Sequence, residues 1–263
     1  MSPKLGACGK PIDQCDCPKP LKKKSIKGFK TILPDKSAFT IETKPDFPKL
    51  HTLTLVSGRR GGGKTVSTVN FIKRCQDEHY FDRVLLITPT YHSNKAIFEI
   101  CDIKEEDVYE PSKTVLKTIK EIIEAEREEW DLFLYQKELY KKLKRDLRKP
   151  EIELDENTLI EYYDFGMFSK KPEWKYPVEQ APRLALIMDD CIGGDVYKPS
   201  AGLTKFICSH RHWGKGLGIS IFMLVQSYCS REGVARPIRE NCTALWLFRM
   251  SDERQIKKRF KKT

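Results

Sequence analysis

His51-Thr-Leu-Thr-Leu-Val-Ser57, continued by Gly58-Arg-Arg-Gly-Gly-Gly63-Lys64-Thr65, decides the fold. The first part is an apolar run of strand length that ends in glycines. The second fits G-x-x-x-x-G-K-[ST], and a helical pattern from Lys64 to Glu78 follows it. Strand, glycine loop and helix in this order predict a phosphate-binding loop. The glycines let the backbone turn tightly, so that successive N–H groups point at the β- and γ-phosphates. Lys64 then bridges those phosphates, the Thr65 hydroxyl holds Mg2+, and the helix N-terminus adds its partial positive charge. Nucleotide contacts are expected from Gly58, Arg59, Arg60, Gly61, Gly62, Gly63, Lys64, Thr65 and Val66. The ligand implied is ATP with Mg2+.

Four more apolar runs lie outward from this stretch: Arg83 to Pro89, Leu184 to Met188, Ile219 to Val225 and Ala244 to Phe248. Their hydrophobicity is continuous rather than alternating, which fits parallel strands covered on both faces. Helical patterns separate them at Lys64 to Glu78, Ser93 to Cys101 and Ser200 to Trp213. Strand and helix in alternation imply right-handed crossovers and an α/β fold with a mostly parallel central sheet flanked by helices.

Hydrolysis needs a second element to place the metal and prepare the water. Leu184-Ala-Leu-Ile-Met-Asp189-Asp190 supplies it. Apolar residues before an acid put the carboxylate at the C-terminal edge of a buried strand, where open α/β sheets bind ligands. Asp189 is expected to hold Mg2+ through water, and Asp190 to orient or deprotonate the attacking water. The bland alternative for Asp190 is a cap on the loop Cys191-Ile-Gly-Gly194. Gln226, directly after the 219–225 strand, can sense the γ-phosphate or orient water. A polar residue at a strand end is otherwise ordinary.

A transition-state cation is the remaining part. Arg211 and Lys215, in Ser209-His-Arg-His-Trp-Gly-Lys-Gly-Leu-Gly218, are candidates acting across a subunit boundary. Arg59 and Arg60 compete in cis, and Arg239 is either a further site or an ion-pair partner. His210 and His212 have no third ligand beside them, so surface or stacking roles are expected rather than metal binding.

Residues 1–30 form a basic leader, expected to be disordered, with eight lysines against Asp13 and Asp16. Residues 31–250 form the P-loop domain. Within it, 103–180 reads as a helical insertion. Apolar residues recur at helical spacing over 113–149, as one or two amphipathic helices that Pro150 ends, and 150–181 is expected to be loop-rich. Residues 251–263 are a basic tail. The net charge of +11 suits an anionic polymer such as DNA. No apolar run reaches 18 residues, so no membrane span is expected. Met1 to Gly9 contains no apolar segment of the secretion-signal kind, so secretion is not expected. Nine scattered cysteines favour reduced thiols inside a cell, and Cys8, Cys15 and Cys17 lack zinc spacing.

The ordered set resembles a known family. It comprises the phosphate loop, Leu-Ala-Leu-Ile-Met-Asp-Asp, Arg-His-Trp, a strand ending in Val-Gln-Ser, then Ile-Arg-Glu-Asn and a final strand. Over roughly residues 50–250 it is similar to the DNA-packaging ATPases of nucleocytoplasmic large DNA viruses, poxvirus-like viruses, virophages and polinton-like elements, within the FtsK–HerA superfamily. The resemblance implies a RecA-like P-loop NTPase of the ASCE type, with the Gln-ended strand between the phosphate-loop strand and the Asp-Asp strand. It implies a homo-oligomeric ring of five or six subunits that drives double-stranded DNA into a capsid through capsid or portal components. The place implied is the host cytoplasm, at a viral factory, or the virion. Many members carry Asp-Glu where this chain has Asp189-Asp190, and a shorter step from Arg-His to the next strand than Arg211 to Ile219. Another class stays open: a small-molecule or nucleoside kinase, with an acceptor pocket and arginine lid hidden in 103–180. Guanine specificity is not expected, because Asn94-Lys95-Ala-Ile97 lacks the Asp of an Asn-Lys-x-Asp step.

Overall fold

Branched and aliphatic side chains dominate the five apolar runs, and in the computed structural model each run forms a strand. The structure describes residues 46–148, 155–226 and 234–249. The strands are β1 (Leu53–Ser57), β2 (Arg83–Ile87), β3 (Val108–Tyr109), β4 (Leu184–Asp189), β5 (Ser220–Val225) and β6 (Ala244–Leu247). They form one sheet in the order β3-β2-β4-β5-β1-β6. Every neighbouring pair is parallel. Among the described strands, β3 alone has no counterpart in the apolar runs, because two residues are too short to show a period. The β5 strand does lie between β1 and β4, as the resemblance implied.

Parallel neighbours require crossovers, and the helices supply them. They are α1 (Lys64–Asp77), α2 (Tyr91–Phe98), α3 (Val115–Asp146), α4 (Glu156–Asp164), α5 (Leu203–Ser209), α6 (Trp213–Gly216) and α7 (Arg236–Glu240). One face of the sheet packs Val56, Val84, Leu86, Ile187, Phe222 and Leu224 against Val69, Ile72 and Cys75 of α1 and Phe98 of α2. The other packs Leu55, Ile87, Leu186, Ile221 and Met223 against Val115, Leu116, Ile119 and Ile123 of α3, with Phe206 of α5 and Ile238 of α7. Both faces are buried, which is why the strands show no alternation.

The helices add detail to two expectations and correct a third. The 113–149 pattern is one helix, α3, which ends at Asp146, and Pro150 lies outside the described residues. Its far half builds a separate small cluster, Leu139 and Leu143 with Tyr162 and Met167. The 150–181 stretch is not all loop, because Asp155 caps α4 by accepting from the Thr158 N–H at 3.1 Å. The expected 200–213 helix is shorter, with α5 ending at Ser209. After it Gly214 and Lys215 take left-handed dihedrals, φ 57° and 53°. A Cβ at Gly214 would stand 2.9 Å from Ile123, so α3 passes where a regular helix would continue. The leader, the 251–263 tail and Cys8, Cys15 and Cys17 lie outside the described residues.

Candidate active site

Register places the chemistry. Ser57 pairs with Val225, Val56 with Leu224, and Leu224 with Asp189. The phosphate loop, the acidic pair and Gln226 therefore leave the sheet at one edge, from three adjacent strands. The loop is shaped by its glycines. Gly61 and Gly63 take φ of 69° and 85°, and a Cβ at Gly58 would meet the Phe248 Cβ at 2.5 Å. No side chain caps α1, so its first-turn N–H groups stay open to an anion.

Lys64 is buried and donates to the Gly58 and Arg59 carbonyls at 2.8 and 3.1 Å. Burial pushes its amine down, against the pull of Asp189 and Asp190. Thr65 donates to Asp189 Oδ2 at 3.1 Å. Asp189 is buried, which pushes its carboxyl up despite the Thr65 hydrogen bond and the Lys64 charge. Asp190 is exposed and holds a left-handed backbone, φ 50°, which Asp tolerates better than most residues. Its Oδ1 accepts from Gln226 Nε2 at 2.9 Å. The Asp190 carboxylate is thus held by the amide of Gln226, from the adjacent strand tip. Such strain in a non-glycine residue is common at functional sites.

These groups line a cavity of about 320 Å³. Lys64, Thr65, Asp189, Asp190 and Gln226 come together in it, with Arg60 and Gly61 from the loop. Val66 follows on the exposed side of α1, and Arg59 and Gly62 shape the loop without lining the cavity. The opposite wall is Thr90, Ser93 and Asn94, at the start of α2, which the sequence reading did not assign. Thr90 is held by Asn94 Nδ2 at 3.1 Å and by Thr88. Polar Thr88-Pro89-Thr90 directly after a buried strand was the available signal.

Arg211 is not brought to this cavity. Ile219 N bonds the His210 carbonyl, and His210 Nε2 lies 2.8 Å from the His51 carbonyl, so this segment sits at the starting edge of β1 and β5. The phosphate loop leaves the finishing edge. His210 is buried rather than a surface residue, as its ring links α5 to the entry of β1. Lys215 is exposed, within 3.9 Å of Asp131. Arg239, on α7, does not line the cavity.

The donor set fits Mg2+. Thr65 and Asp189 offer hard oxygen ligands close together, and Mg2+ keeps waters and phosphate oxygens for the rest. A preformed cage of three or more acids, histidines or cysteines is absent among the described residues. None of the described helices is long and apolar enough to cross a membrane.

A phosphate loop after β1, an acidic pair at the end of β4 and an intervening β5 make this an α/β P-loop fold with a parallel central sheet flanked by helices. No family model matches the chain, and no curated protein matches it. Among solved structures, it is similar to EssC (ATPases 2 and 3) from Geobacillus thermodenitrificans, at 11% identity and a TM-score of 0.41, covering 78% of this chain and 33% of that one. The cytoplasmic domain of EssC gives 11% identity and a TM-score of 0.38, covering 79% and 34%. The chain spans about a third of the length of these structures. The fold assignment rests on the sheet order and the loop, not on this likeness.

Proposed function

We propose that the chain is an ATPase that moves double-stranded DNA, the packaging motor of a DNA virus or related element. In this reading it acts in the host cytoplasm as a ring of five or six copies against capsid or portal components. The observation that carries the hydrolytic part is the Asp190–Gln226 pair, 2.9 Å apart, beside the Thr65–Asp189 pair in the same cavity. A carboxylate and an amide on adjacent strand tips suit a water nucleophile, which needs a proton acceptor and a second hydrogen bond to orient it. Asp190 accepts the proton as the water oxygen bonds the γ-phosphorus and the bridging P–O bond to ADP breaks. Lys64 turns from the loop carbonyls to the phosphates, and Thr65 and Asp189 would hold Mg2+, which supplies charge neutralisation.

A kinase needs an acceptor pocket instead. Among the described residues, no side chain of 103–180 lines the cavity. DNA as the track is supported by the sequence resemblance and the net charge of +11.

The test is steady-state ATP hydrolysis at low salt, with and without double-stranded DNA. The parent is expected to hydrolyse ATP faster with DNA. Lys64→Ala is expected to abolish turnover, and Asp190→Asn to bind ATP but lose turnover. Parental turnover in Asp190→Asn would remove the base assignment. Phosphate transfer to an added nucleoside without hydrolysis would replace the motor by a kinase.

A further inference from the structure

The phosphate loop carries two arginines, and the structure separates them. Gly62 N donates to the Arg59 carbonyl at 3.1 Å, closing a four-residue turn with Arg60 and Gly61 at its centre. The positive φ of Gly61, 69°, is what the third position of a type II turn demands. Arg59 is tied into the scaffold through its backbone alone, and its side chain does not line the cavity. Its N–H donates to the Arg249 carbonyl at 2.9 Å, and its own carbonyl also accepts from Lys64 at 3.1 Å. Arg60 stands at the turn's apex and lines the cavity with Lys64, Thr65, Asp189, Asp190 and Gln226. It is exposed and makes no ion pair among the described residues. Some arginines of the domain are committed to ion pairs, as Arg83 is to Asp107 and Glu126 and Arg127 is to Asp131. Arg211, the candidate for a neighbour's site, leaves the opposite edge of the sheet.

We propose that Arg60 is a catalytic residue of its own chain's site, supplying in cis the cation that neutralises the γ-phosphoryl group as it transfers. The proposal rests on the ATPase reading. In the step, one P–O bond forms from water and the bridging P–O bond breaks, leaving ADP and inorganic phosphate. The proton passes to Asp190 and then to solvent. Negative charge shifts onto the bridging and equatorial oxygens, and a guanidinium has the planar donors to meet two of them at once. A cation built into the loop needs no neighbour to complete the site. Turnover per chain would then not depend on assembly, while DNA movement would.

The experiment compares the parent, Arg60→Ala, Arg60→Lys and Lys64→Ala, alone and in mixtures. Arg60→Ala is expected to lose about 10²–10³-fold in kcat, the effect of removing one transition-state donor, with a much smaller change in KM for ATP. Arg60→Lys is expected to recover part of it. An equimolar mixture of Arg60→Ala and Lys64→Ala is expected to stay as inactive as its components, because no chain in it has a complete site. If the cation acted in trans, the Lys64→Ala chains would lend Arg60 to their neighbours and activity would return, overturning the proposal. Parental kcat in Arg60→Ala would overturn it as well. A parent that hydrolyses no ATP would overturn the ATPase reading itself, and this proposal with it.

Discussion

The carboxylate of Asp189 lies beneath the phosphate loop, with the Thr65 hydroxyl on one oxygen. Burial dominates, and its folded-state pKa is raised even with Lys64 nearby. For an acid raised on folding, the stabilising share is fully present below the unfolded pKa and is lost as pH rises through the folded one. At neutral pH the ionised carboxylate therefore costs the nucleotide-free protein stability. Asp189→Asn cannot ionise and keeps an acceptor for Thr65. Its melting midpoint at pH 7 is expected to exceed the parent's by a few degrees, since ~1 kcal/mol moves a domain of this size about 2–4 °C. The gap should close towards pH 4, and Mg2+-dependent turnover should be lost. Thermal melts across pH check this, and an equal shift at every pH would contradict it. Lys64, Thr65, Asp189 and Gln226 were readable because strand-end spacing fixes where each must emerge. Thr90, Ser93 and Asn94 were not, because they reach the cavity only through the pairing of β2 with β4. The choice between Arg59 and Arg60 depends on a single turn, which spacing does not encode.

Among the elements, strands were legible because burial on both faces writes an unbroken apolar run. The insertion was legible as helical but not in its packing. Its anchor is polar: Arg83, opening β2, spans Asp107, the last residue of the 3-10 turn Glu105–Asp107, and Glu126 on α3, at 2.7 and 2.9 Å. Asp107 and Glu126 are 3% and 1% exposed, so both carboxylates depend on this guanidinium. Glu126 Oε1 also accepts from Lys175 and Tyr176, while its Oε2 is buried with no partner. Removing the cation leaves buried acids poorly compensated, which typically costs about 3–5 kcal/mol. Arg83→Ala is expected to lose stability of that order in denaturant titration. Because the cluster lies at the starting edge of β2, away from the cavity, ATP affinity of the folded fraction should hold. A loss under about 1 kcal/mol would mean Lys175 alone suffices for Glu126. No periodicity in the sequence marks this cluster, since its members come from four separate segments.

At the scale of the molecule, charge is unevenly spread. The first thirty residues carry eight lysines against two aspartates, and residues 254–263 carry six basic side chains and no acid. The two ends thus hold a surplus of twelve, against +11 for the whole chain, so the stretch between them is close to neutral. Within the described domain many lysines already face acids, as Lys117 does Glu121, Lys120 Glu124 and Lys175 Glu129. If the chain moves DNA as proposed, the ends are the chief candidates for contacts with the phosphate backbone, and they lie outside the described residues. Binding of this kind releases counterions, and log affinity falls against log salt with a slope near 0.9 per neutralised phosphate. Deleting residues 254–263 is expected to weaken binding to double-stranded DNA and to flatten that slope by as much as about 5 if all six side chains engage. Basal hydrolysis should stay, because no residue of the cavity is removed. Stimulation by DNA should fall with the affinity. A salt titration of fluorescent duplex binding, run beside the ATPase assay, separates the two effects. An unchanged slope would remove the tail from the DNA contact and leave the leader as the remaining basic end. A flattened slope with full stimulation would mean that the tail holds DNA but does not report it to the site.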